Sequence, residues 1–328
     1  MHLESVRELK IEANQLIEKI IKESVIPQSF SKKHDSWSWT GLGIHPTGKR
    51  DDYKLAIHVN DKSDLALIKE KVEYLAKGEV DIRITGNVYP QHSVRPYYKR
   101  PLSIGLSISR THPTSAGTLG CFVQKRGQAD LLILSCNHVL ANTNNAHIGD
   151  SIIQPAVEDG GNPETECIAN LYEFIQLRAG QPNFADAAIA KVNNINEIER
   201  LCPFHESNLL QLFCRGEYLE ETRHLVVAKV GRSSNLTVGR INAVEMEQQV
   251  LYENNGNYMK VTFPNLTAIE GLNNEPFSEL GDSGSIIVNI KGEPIGLLVG
   301  GARKNQLISY ANPIDLVCQE LNIELAHR

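Results

Sequence analysis

The sequence lacks the features that mark exported and membrane-embedded chains. Residues 1–22 mix charged and apolar side chains, so they do not contain the continuous apolar core of a signal peptide. No stretch approaches the roughly 18 uncharged apolar residues of a membrane span. The six cysteines form no Cys-x-x-Cys pair, and in a long chain without an export signal we expect free, mostly buried thiols. These absences favour a cytoplasmic protein.

The sequence also lacks an excess of charge of one sign. Its 33 basic and 39 acidic residues give a formal charge of -6 at pH 7, so we expect neither nucleic acid nor a membrane surface as a partner. With 41% apolar and 22% charged residues, the composition is that of an ordinary globular protein. No fixed-period repeat and no low-complexity tract is present.

Histidine and acidic residues do not recur at a metal-binding spacing. His147, Asp150 and Asp159 share one polar segment, and metal coordination by these three is one interpretation. A solvated loop is the favoured interpretation, because the recurring ligand spacing of metal sites is missing. We expect no metal and no cofactor.

The first 92 residues are predicted to form a small α+β module. Apolar residues within 5–24 recur about every 3.6 positions, which indicates an amphipathic helix. Tyr53–Val59 is predicted as a strand, Asp64–Lys77 as a helix, and Val80–Val88 as a half-buried strand because it alternates with period two. Our hypothesis is that residues 1–92 regulate or recruit, through a regulatory partner or a second copy of the chain.

The remainder of the chain has a different pattern. Prolines at positions 90, 96 and 101 indicate a linker over residues 93–101. From Leu102 onward, short apolar runs are bounded by Gly, Asn, Asp and Pro, and strands at this spacing indicate a sandwich or a barrel. Two segments break the pattern and are predicted to be helical, Asn196–Phe213 and Asn312–Leu325.

The segment ELGDSGSIIV, Glu279–Val288, carries the strongest local signal for catalysis. A serine hydroxyl is a poor nucleophile unless it has a base and a place for the oxyanion. Gly281 and Gly284 let the backbone turn sharply around the Asp-Ser pair. In this interpretation Ser283 is the nucleophile, and the amides of Gly281 and Ser283 form the oxyanion hole. The alternative is an ordinary Gly-Asp turn before a strand.

Two further segments supply the partners that such a serine needs. Leu131–Ala141 is an apolar strand that delivers His138 into a turn, although a lone histidine there is more often structural. Asp186 opens an apolar strand, where a buried carboxylate needs a hydrogen-bonded partner; alone, a turn cap would explain it. Together the three residues occur in the order His, Asp, Ser, and unrelated hydrolase folds use other orders. We therefore predict that His138 is the general base and that Asp186 orients it.

From about Leu102 to Leu321 the chain resembles the trypsin-like, chymotrypsin-fold superfamily of serine peptidases. The histidine motif corresponds to SCNHVL, the aspartate strand to ADAAIAKV and the nucleophile loop to GDSGS. The resemblance implies a mainly β fold, a trypsin-like double β-barrel behind the N-terminal α+β module. Within a protease domain of residues 102–328, it implies a first barrel at about 102–195, a second at about 222–311 and a C-terminal helix at about 312–325.

Within the superfamily, the chain resembles a disulfide-free subgroup found in bacteria and in the plant narrow-leaf protein, on the segments AGTLGCFV, SCNHVLA and GDSIIQPAVEDGG. The segment PIGLLVGG resembles the strand that pairs with the substrate backbone, which implies substrate-binding roles for Val299, Gly300 and Gly301. Phe277 lies six residues before the nucleophile, where trypsin-like enzymes often set charge preference. The resemblance therefore gives Phe277 a substrate-binding role and argues against a strict preference for Lys or Arg.

Departures from the superfamily bear on activation. Cys136 precedes the histidine instead of following it, and no Ile-Val-Gly-Gly activation site lies upstream of the barrel, so Asp282 lacks an N-terminal ammonium as partner. We predict a serine endopeptidase that hydrolyses protein or peptide substrates through an acyl enzyme. The alternative is a catalytically silent protease fold that binds peptides. An esterase-type acyl hydrolase is disfavoured, because its Gly-x-Ser-x-Gly elbow and its order Ser, Asp, His are missing.

Overall fold

The computed structural model describes residues 1–24, 41–86, 88–89, 100–111, 116–198, 225–254, 256–272, 274–302 and 307–326. Most of the predicted linker, residues 199–213 of the predicted helix Asn196–Phe213, and two of the six cysteines, Cys202 and Cys214, lie outside these ranges. The helices are α1 (Leu3–Ser24), α2 (Lys62–Leu75), α3 (Asn137–Leu140) and α4 (Ile314–Glu320). The strands are β1 (Gly41–Pro46), β2 (Tyr53–Val59), β3 (Val80–Ile84), β4 (Val88–Tyr89), β5 (Ser107–Arg110), β6 (Gly117–Thr118), β7 (Cys121–Lys125), β8 (Leu131–Ser135), β9 (Ser151–Ile153), β10 (Cys167–Phe174), β11 (Ala188–Val192), β12 (Val226–Gly231), β13 (Asn235–Asn254), β14 (Asn257–Gly271), β15 (Ile286–Asn289), β16 (Pro294–Ala302), β17 (Ile308–Pro313) and β18 (Ile323–Leu325).

The first sheet contains eight of the described strands, in the order β18-β7-β8-β11-β10-β9-β5-β6. Neighbouring strands pair antiparallel, and the central strands β8 and β11 bury almost every side chain. The apolar core of this sheet also contains Val226, Val288 and Leu297 from the second sheet and Val317 from α4. The two sheets therefore pack against each other through one shared core.

The second sheet closes on itself. Six strands follow one another in the order β12-β15-β16-β17-β14-β13, and β12 also pairs with β13, which completes the ring. Closure protects strand edges from pairing with another chain. The chain is mainly β, and its two curled sheets resemble a double β-barrel with an N-terminal helix, so the predicted fold class is confirmed.

The N-terminal strands continue this second sheet. β1 pairs antiparallel with β13 through Leu42↔Glu247 and Ile44↔Val244, and β2 pairs with β1. β2 and β3 run parallel, and α2 connects them, as a parallel pair requires a crossover. Residues 41–84 are thus hydrogen-bonded into the same sheet as β13, although the domain boundary near residue 92 stays a prediction.

Two helices cover the N-terminal strands. α1 buries Val6, Ala13 and Ile17 along one face, in a core shared with β1, β2 and α2, so the predicted amphipathic helix is confirmed. α2 begins after Asp61, whose side chain accepts hydrogen bonds from two amides of the first turn. Among the helices in the described ranges, none is long and apolar enough to span a membrane.

Two predicted elements are shorter than expected. The strand predicted at Val80–Val88 divides into β3 and β4, because Gly86 has φ +76° and so leaves the extended conformation. The helix predicted at Asn312–Leu325 is α4 followed by β18. Asn322 has φ +47°, which turns the chain after the helix, and the next residues pair with β7.

Candidate active site

His138 lies in a short helical turn that follows a buried strand. β8 ends at Ser135, and α3 begins at Asn137. Asn137 holds the turn, because its Nδ2 donates to the carbonyl oxygen of Ile175 at 2.7 Å and to Oδ1 of Asn144 at 2.8 Å. His138 is 4% exposed, so the protein rather than water sets the orientation of the imidazole.

Asp186 directly contacts this histidine. It is fully buried, just before β11. Its Oδ2 lies 2.5 Å from Nδ1 of His138, and its Oδ1 accepts the backbone N–H of His138 at 3.2 Å. An ionised carboxylate can only accept hydrogen bonds, so Nδ1 carries the proton and Nε2 of a neutral ring is left as an acceptor. The predicted base and its predicted orienting acid therefore meet.

Ser283 lies in the turn before β15 and is fully buried. Its Oγ donates to the carbonyl oxygen of Val299 at 2.9 Å, and within the described part of the chain Nε2 of His138 has no hydrogen-bond partner. The hydroxyl and the imidazole are thus not joined in this structure. The chain segments that carry them share Gly117 as a neighbour, because a Cβ added to Gly117 would lie 2.4 Å from a methyl carbon of Val139 and 3.0 Å from the Ser283 carbonyl oxygen.

The two glycines around Ser283 are required by the backbone and by space. Gly281 has φ +99° and Gly284 has φ +90°, values that L side chains rarely adopt. A Cβ at 281 would lie 2.2 Å from Nη1 of Arg232, and one at 284 would lie 2.1 Å from Oγ of Ser135. The Gly281 carbonyl is further fixed by Oγ1 of Thr118, which donates to it at 2.8 Å.

Three backbone amides of the nucleophile loop donate to acceptors within the protein. The amides of Asp282, Gly284 and Ser285 donate to carbonyl oxygens of the protein at 3.1, 2.8 and 3.0 Å. The role of the Gly281 and Ser283 amides as oxyanion donors stays a prediction.

A buried ion pair that the sequence analysis missed anchors the loop. Nζ of Lys229, on β12, lies 3.0 Å from Oδ2 of Asp282, and both side chains are 0% exposed. The carboxylate also accepts the amides of Ser233 and Glu279, each at 2.9 Å, and the Ser234 hydroxyl at 2.5 Å. Asp282 was expected to lack an N-terminal ammonium as partner, and Lys229 supplies a side-chain ammonium from within the barrel. The sequence did contain a signal for this ion pair, because Lys229 lies within the apolar run VVAKVG and a buried lysine is almost always paired.

The ion pair changes the titration of both members. Burial raises the pKa of Asp282, but the Lys229 charge and the hydrogen bonds outweigh it, so the pKa lies below its ordinary value. Burial lowers the pKa of Lys229, and the attraction of Asp282 offsets only part of that effect. The ionised form of Asp282 is therefore the one that this site stabilises.

Asp186 has a second side-chain partner that the sequence did not indicate. The hydroxyl of Tyr252, on β13, donates to its Oδ2 at 2.8 Å. The ring of Tyr252 lies 5.7 Å from that of His138, centroid to centroid. Nδ2 of Asn312 donates to the Asp186 carbonyl oxygen at 3.3 Å. Both new contacts come from strands of the second sheet, whereas His138 follows β8 and Asp186 precedes β11, two strands of the first.

The residues predicted to bind substrate occupy two different environments. Val299, Gly300 and Gly301 lie on β16, where the pairing with β17 shifts register between Leu298 and Gly300. Such an irregularity re-aims the strand locally, next to the Ser283 hydroxyl. Phe277 is fully buried in an apolar cluster, and its ring centroid lies 5.7 Å from Nζ of Lys229. The structure thus places Phe277 behind the nucleophile loop, and its role in specificity stays a prediction.

Cys136 lies close to the pair of His138 and Asp186. Within the described residues, the ligand atoms of these three fall within 4.8 Å of one another. Burial raises the pKa of Cys136 well above its ordinary value, and its Sγ donates to the carbonyl oxygen of Leu298 at 3.1 Å. A protonated thiol is a poor metal ligand, so this group is better suited to hydrogen bonding than to metal binding.

The acidic residues of the polar segment have separate partners. Asp159 is buried and forms two hydrogen bonds of 2.6 Å with Nε and Nη2 of Arg232, and Asp150 accepts from Arg110 at 2.6 Å. His147 is exposed. The three residues do not converge, and the interpretation of this segment as a solvated loop is wrong for Asp159, which links the first sheet to the residue after β12.

Comparisons with known proteins found one matching family model and several similar solved structures. A family model described as Nal1 C-terminal domain matches residues 222–316. No curated protein matches the chain. Among the solved structures similar to it are protease A from Thermobifida fusca (13% identity, TM-score 0.43), a Nocardiopsis protease (14%, 0.43) and Cellulomonas bogoriensis chymotrypsin (12%, 0.41). These alignments cover 69%, 68% and 69% of this chain and 98% of each structure.

Proposed function

We propose that this protein is a serine endopeptidase acting on proteins or peptides, with Ser283 as nucleophile, His138 as general base and Asp186 as the orienting acid. One observation carries the proposal: the buried Asp186 carboxylate binds Nδ1 of His138 at 2.5 Å. That contact leaves Nε2 as an unpartnered acceptor among the described residues. A structural histidine would have both ring nitrogens satisfied.

The reaction begins when Ser283 Oγ leaves the Val299 carbonyl by rotation about Cα–Cβ and donates to Nε2 of His138. Oγ attacks the substrate carbonyl carbon as its proton passes to Nε2, and the amides of Gly281 and Ser283 donate to the resulting oxyanion. His138 then gives this proton to the leaving amine as the C–N bond breaks. Water attacks the acyl enzyme, again with His138 as base, and releases the acid product and the free serine.

The substrate is proposed to pair with β16 as an extended strand, through Val299, Gly300 and Gly301. Edge pairing supplies affinity through backbone hydrogen bonds that are largely independent of side chains. The match of residues 222–316 to the Nal1 C-terminal domain supports placing the protein in the narrow-leaf-type subgroup. A cytoplasmic location is part of the same proposal.

Residues 1–92 are proposed to restrain the protease. β4 pairs antiparallel with β16 through Gly301↔Tyr89 and Ala302↔Val88. It thus uses an edge of β16 beside Gly301, where a substrate strand is proposed to bind. A substrate that extends along this edge must displace β4, so release of β4 would be the activating event. A regulatory partner or a second copy of the chain could supply that release through the module.

The proposed function is tested with an active-site probe and a serine variant. We expect a fluorophosphonate to label the wild type, and Ser283→Ala to lose both labelling and peptide hydrolysis while keeping its circular dichroism spectrum. Ser285→Ala is the matched control, because its Oγ donates to the Asp282 carbonyl oxygen at 2.6 Å and has no part in the mechanism; it should still be labelled.

A second candidate function is peptide binding without cleavage. It is favoured by one observation, the hydrogen bond from the Ser283 hydroxyl to Val299 instead of to His138. A wild-type protein that binds peptides but neither reacts with the fluorophosphonate nor cleaves a peptide library would establish this candidate in place of the protease.

A further inference from the structure

Asp186 is a buried carboxylate with an unusual set of neighbours. Its side chain is 0% exposed, so in place of water it depends on donors from the protein. His138 supplies two of these donors, Nδ1 and the backbone N–H. The hydroxyl of Tyr252 supplies a further one, at 2.8 Å from the same oxygen that binds Nδ1.

Tyr252 reaches this carboxylate from the other sheet. It lies near the end of β13, opposite Met259 of β14, and is fully buried. Its ring packs between His138 and Phe263, with centroid distances of 5.7 and 6.4 Å. Burial, followed by the Asp186 charge, raises the pKa of Tyr252 well above its ordinary value. The hydroxyl therefore stays protonated and donates to the carboxylate.

We propose that Tyr252 is a positioning residue for the proposed protease reaction: its hydroxyl holds the Asp186 carboxylate in the orientation that keeps Nδ1 of His138 protonated and Nε2 directed to the nucleophile loop. The inference rests on the proposed function and extends it to a residue outside the predicted triad. Without the Tyr252 hydroxyl, the imidazole of His138 is the remaining side-chain donor to Oδ2 among the described residues. The carboxylate can then rotate away from the His138 backbone.

The same strand connects Asp186 to the N-terminal module. β13 is the strand with which β1 pairs, and Val250, two residues before Tyr252, pairs with Val88 of β4. Val250 and Tyr252 lie on the same face of β13, because side chains alternate along a strand. The donor to the orienting acid is therefore carried by a strand that pairs with β1 and β4 of the N-terminal residues as well as with β12 and β14.

The test is Tyr252→Phe, which removes one oxygen and keeps the ring. We expect kcat/KM to fall about tenfold. We also expect the acid limb of its pH profile to move upward by about half a unit, because a carboxylate that has lost a donor stabilises the imidazolium more strongly. The other titratable group described next to this pair is Cys136, which is neutral and unchanged by the substitution.

Tyr310→Phe is the matched control. Tyr310 is also fully buried in the second sheet, and its hydroxyl contacts Nδ1 of His58 at 2.9 Å instead of Asp186. It should lose comparable stability without any movement of the acid limb. If the Tyr252 hydroxyl only stabilised the fold, Tyr252→Phe would behave like Tyr310→Phe, with lower stability and an unchanged acid limb. Equal acid limbs in wild type and Tyr252→Phe would therefore overturn the inference.

Two further measurements keep the test decisive. Placing 3,5-difluorotyrosine at position 252 keeps the hydroxyl and makes it a stronger donor, so the acid limb should move in the opposite direction; a shift in the same direction as Tyr252→Phe contradicts the inference.

The imidazole titration of His138 can also be followed by NMR in the Ser283→Ala background, which needs no turnover. An unlabelled, inactive wild type would refute the proposed function, whereas an NMR titration unmoved by Tyr252→Phe would refute the role of Tyr252.

Discussion

Replacing Lys229 by Met tests how far the nucleophile loop depends on its buried ion pair. The substitution keeps the apolar stem and removes the ammonium that lies 3.0 Å from Asp282, in a pair with both side chains at 0% exposure. Removing one member of a buried pair costs about 3–5 kcal/mol, because the other charge is left without compensation. Asp282 keeps its amide and hydroxyl donors, so we expect the lower end, about 3 kcal/mol in the free energy of unfolding.

The magnitude is checked by urea unfolding followed by far-UV circular dichroism. Asp282→Asn and the double variant complete a double-mutant cycle, and the double variant should cost less than the sum of the two single variants. Lys191→Met is the control, because its ion pair with Asp130 at 2.8 Å is half exposed and such pairs contribute about 0–1 kcal/mol. Peptide hydrolysis should fall with Lys229→Met and persist with Lys191→Met.

The reasoning is refuted if Lys229→Met and Lys191→Met lower the free energy of unfolding by the same small amount. It is also refuted if the double variant loses as much free energy of unfolding as the two single variants together. Lys229 and Asp282 would then stabilise the protein independently of each other. A loss of stability without loss of hydrolysis would separate the two roles and show that the ion pair holds the barrel but not the loop.

The remaining predictions concern the N-terminal strands. The double variant Val88→Cys, Ala302→Cys places thiols at paired positions of β4 and β16. Oxidation should abolish cleavage of long peptides and reduction should restore it. Equal cleavage rates in the two states would contradict the proposal that β4 restrains the protease. Burial lowers the pKa of His58 to about 4, so below pH 6.5 the unfolded chain takes up a proton that the folded protein does not. The free energy of unfolding should fall by about 3 kcal/mol between pH 6.5 and 4, and His58→Gln should flatten this part of the profile; an unchanged slope would assign it to other groups.

Much of the secondary structure could be predicted because burial on one face imposes a short-range period. α1 follows from the 3.6-residue recurrence of apolar residues, and strands such as β8, β11 and β15 follow from short apolar runs between turn residues. Boundaries were less predictable. The left-handed conformations of Gly86 and Asn322 divide segments whose hydrophobic pattern is continuous.

Local patterns also identified the groups that are able to do the proposed chemistry. A serine between two glycines, a histidine after a buried strand and an aspartate before another are each visible within about ten residues. Their residue types fit the proposed roles of nucleophile, base and orienting acid. The same patterns could not say which hydrogen bonds these groups form, since the partners lie elsewhere in the chain.

Those partners depend on how distant strands align. Lys229 meets Asp282, Tyr252 meets Asp186 and β4 meets β16 because the second sheet closes and then continues into β1, with a particular register at every pair of strands. A shift of one residue in any strand would turn its side chains to the opposite face. Register arises from the packing of the whole core, so amino-acid order specifies these contacts without displaying them in any short segment.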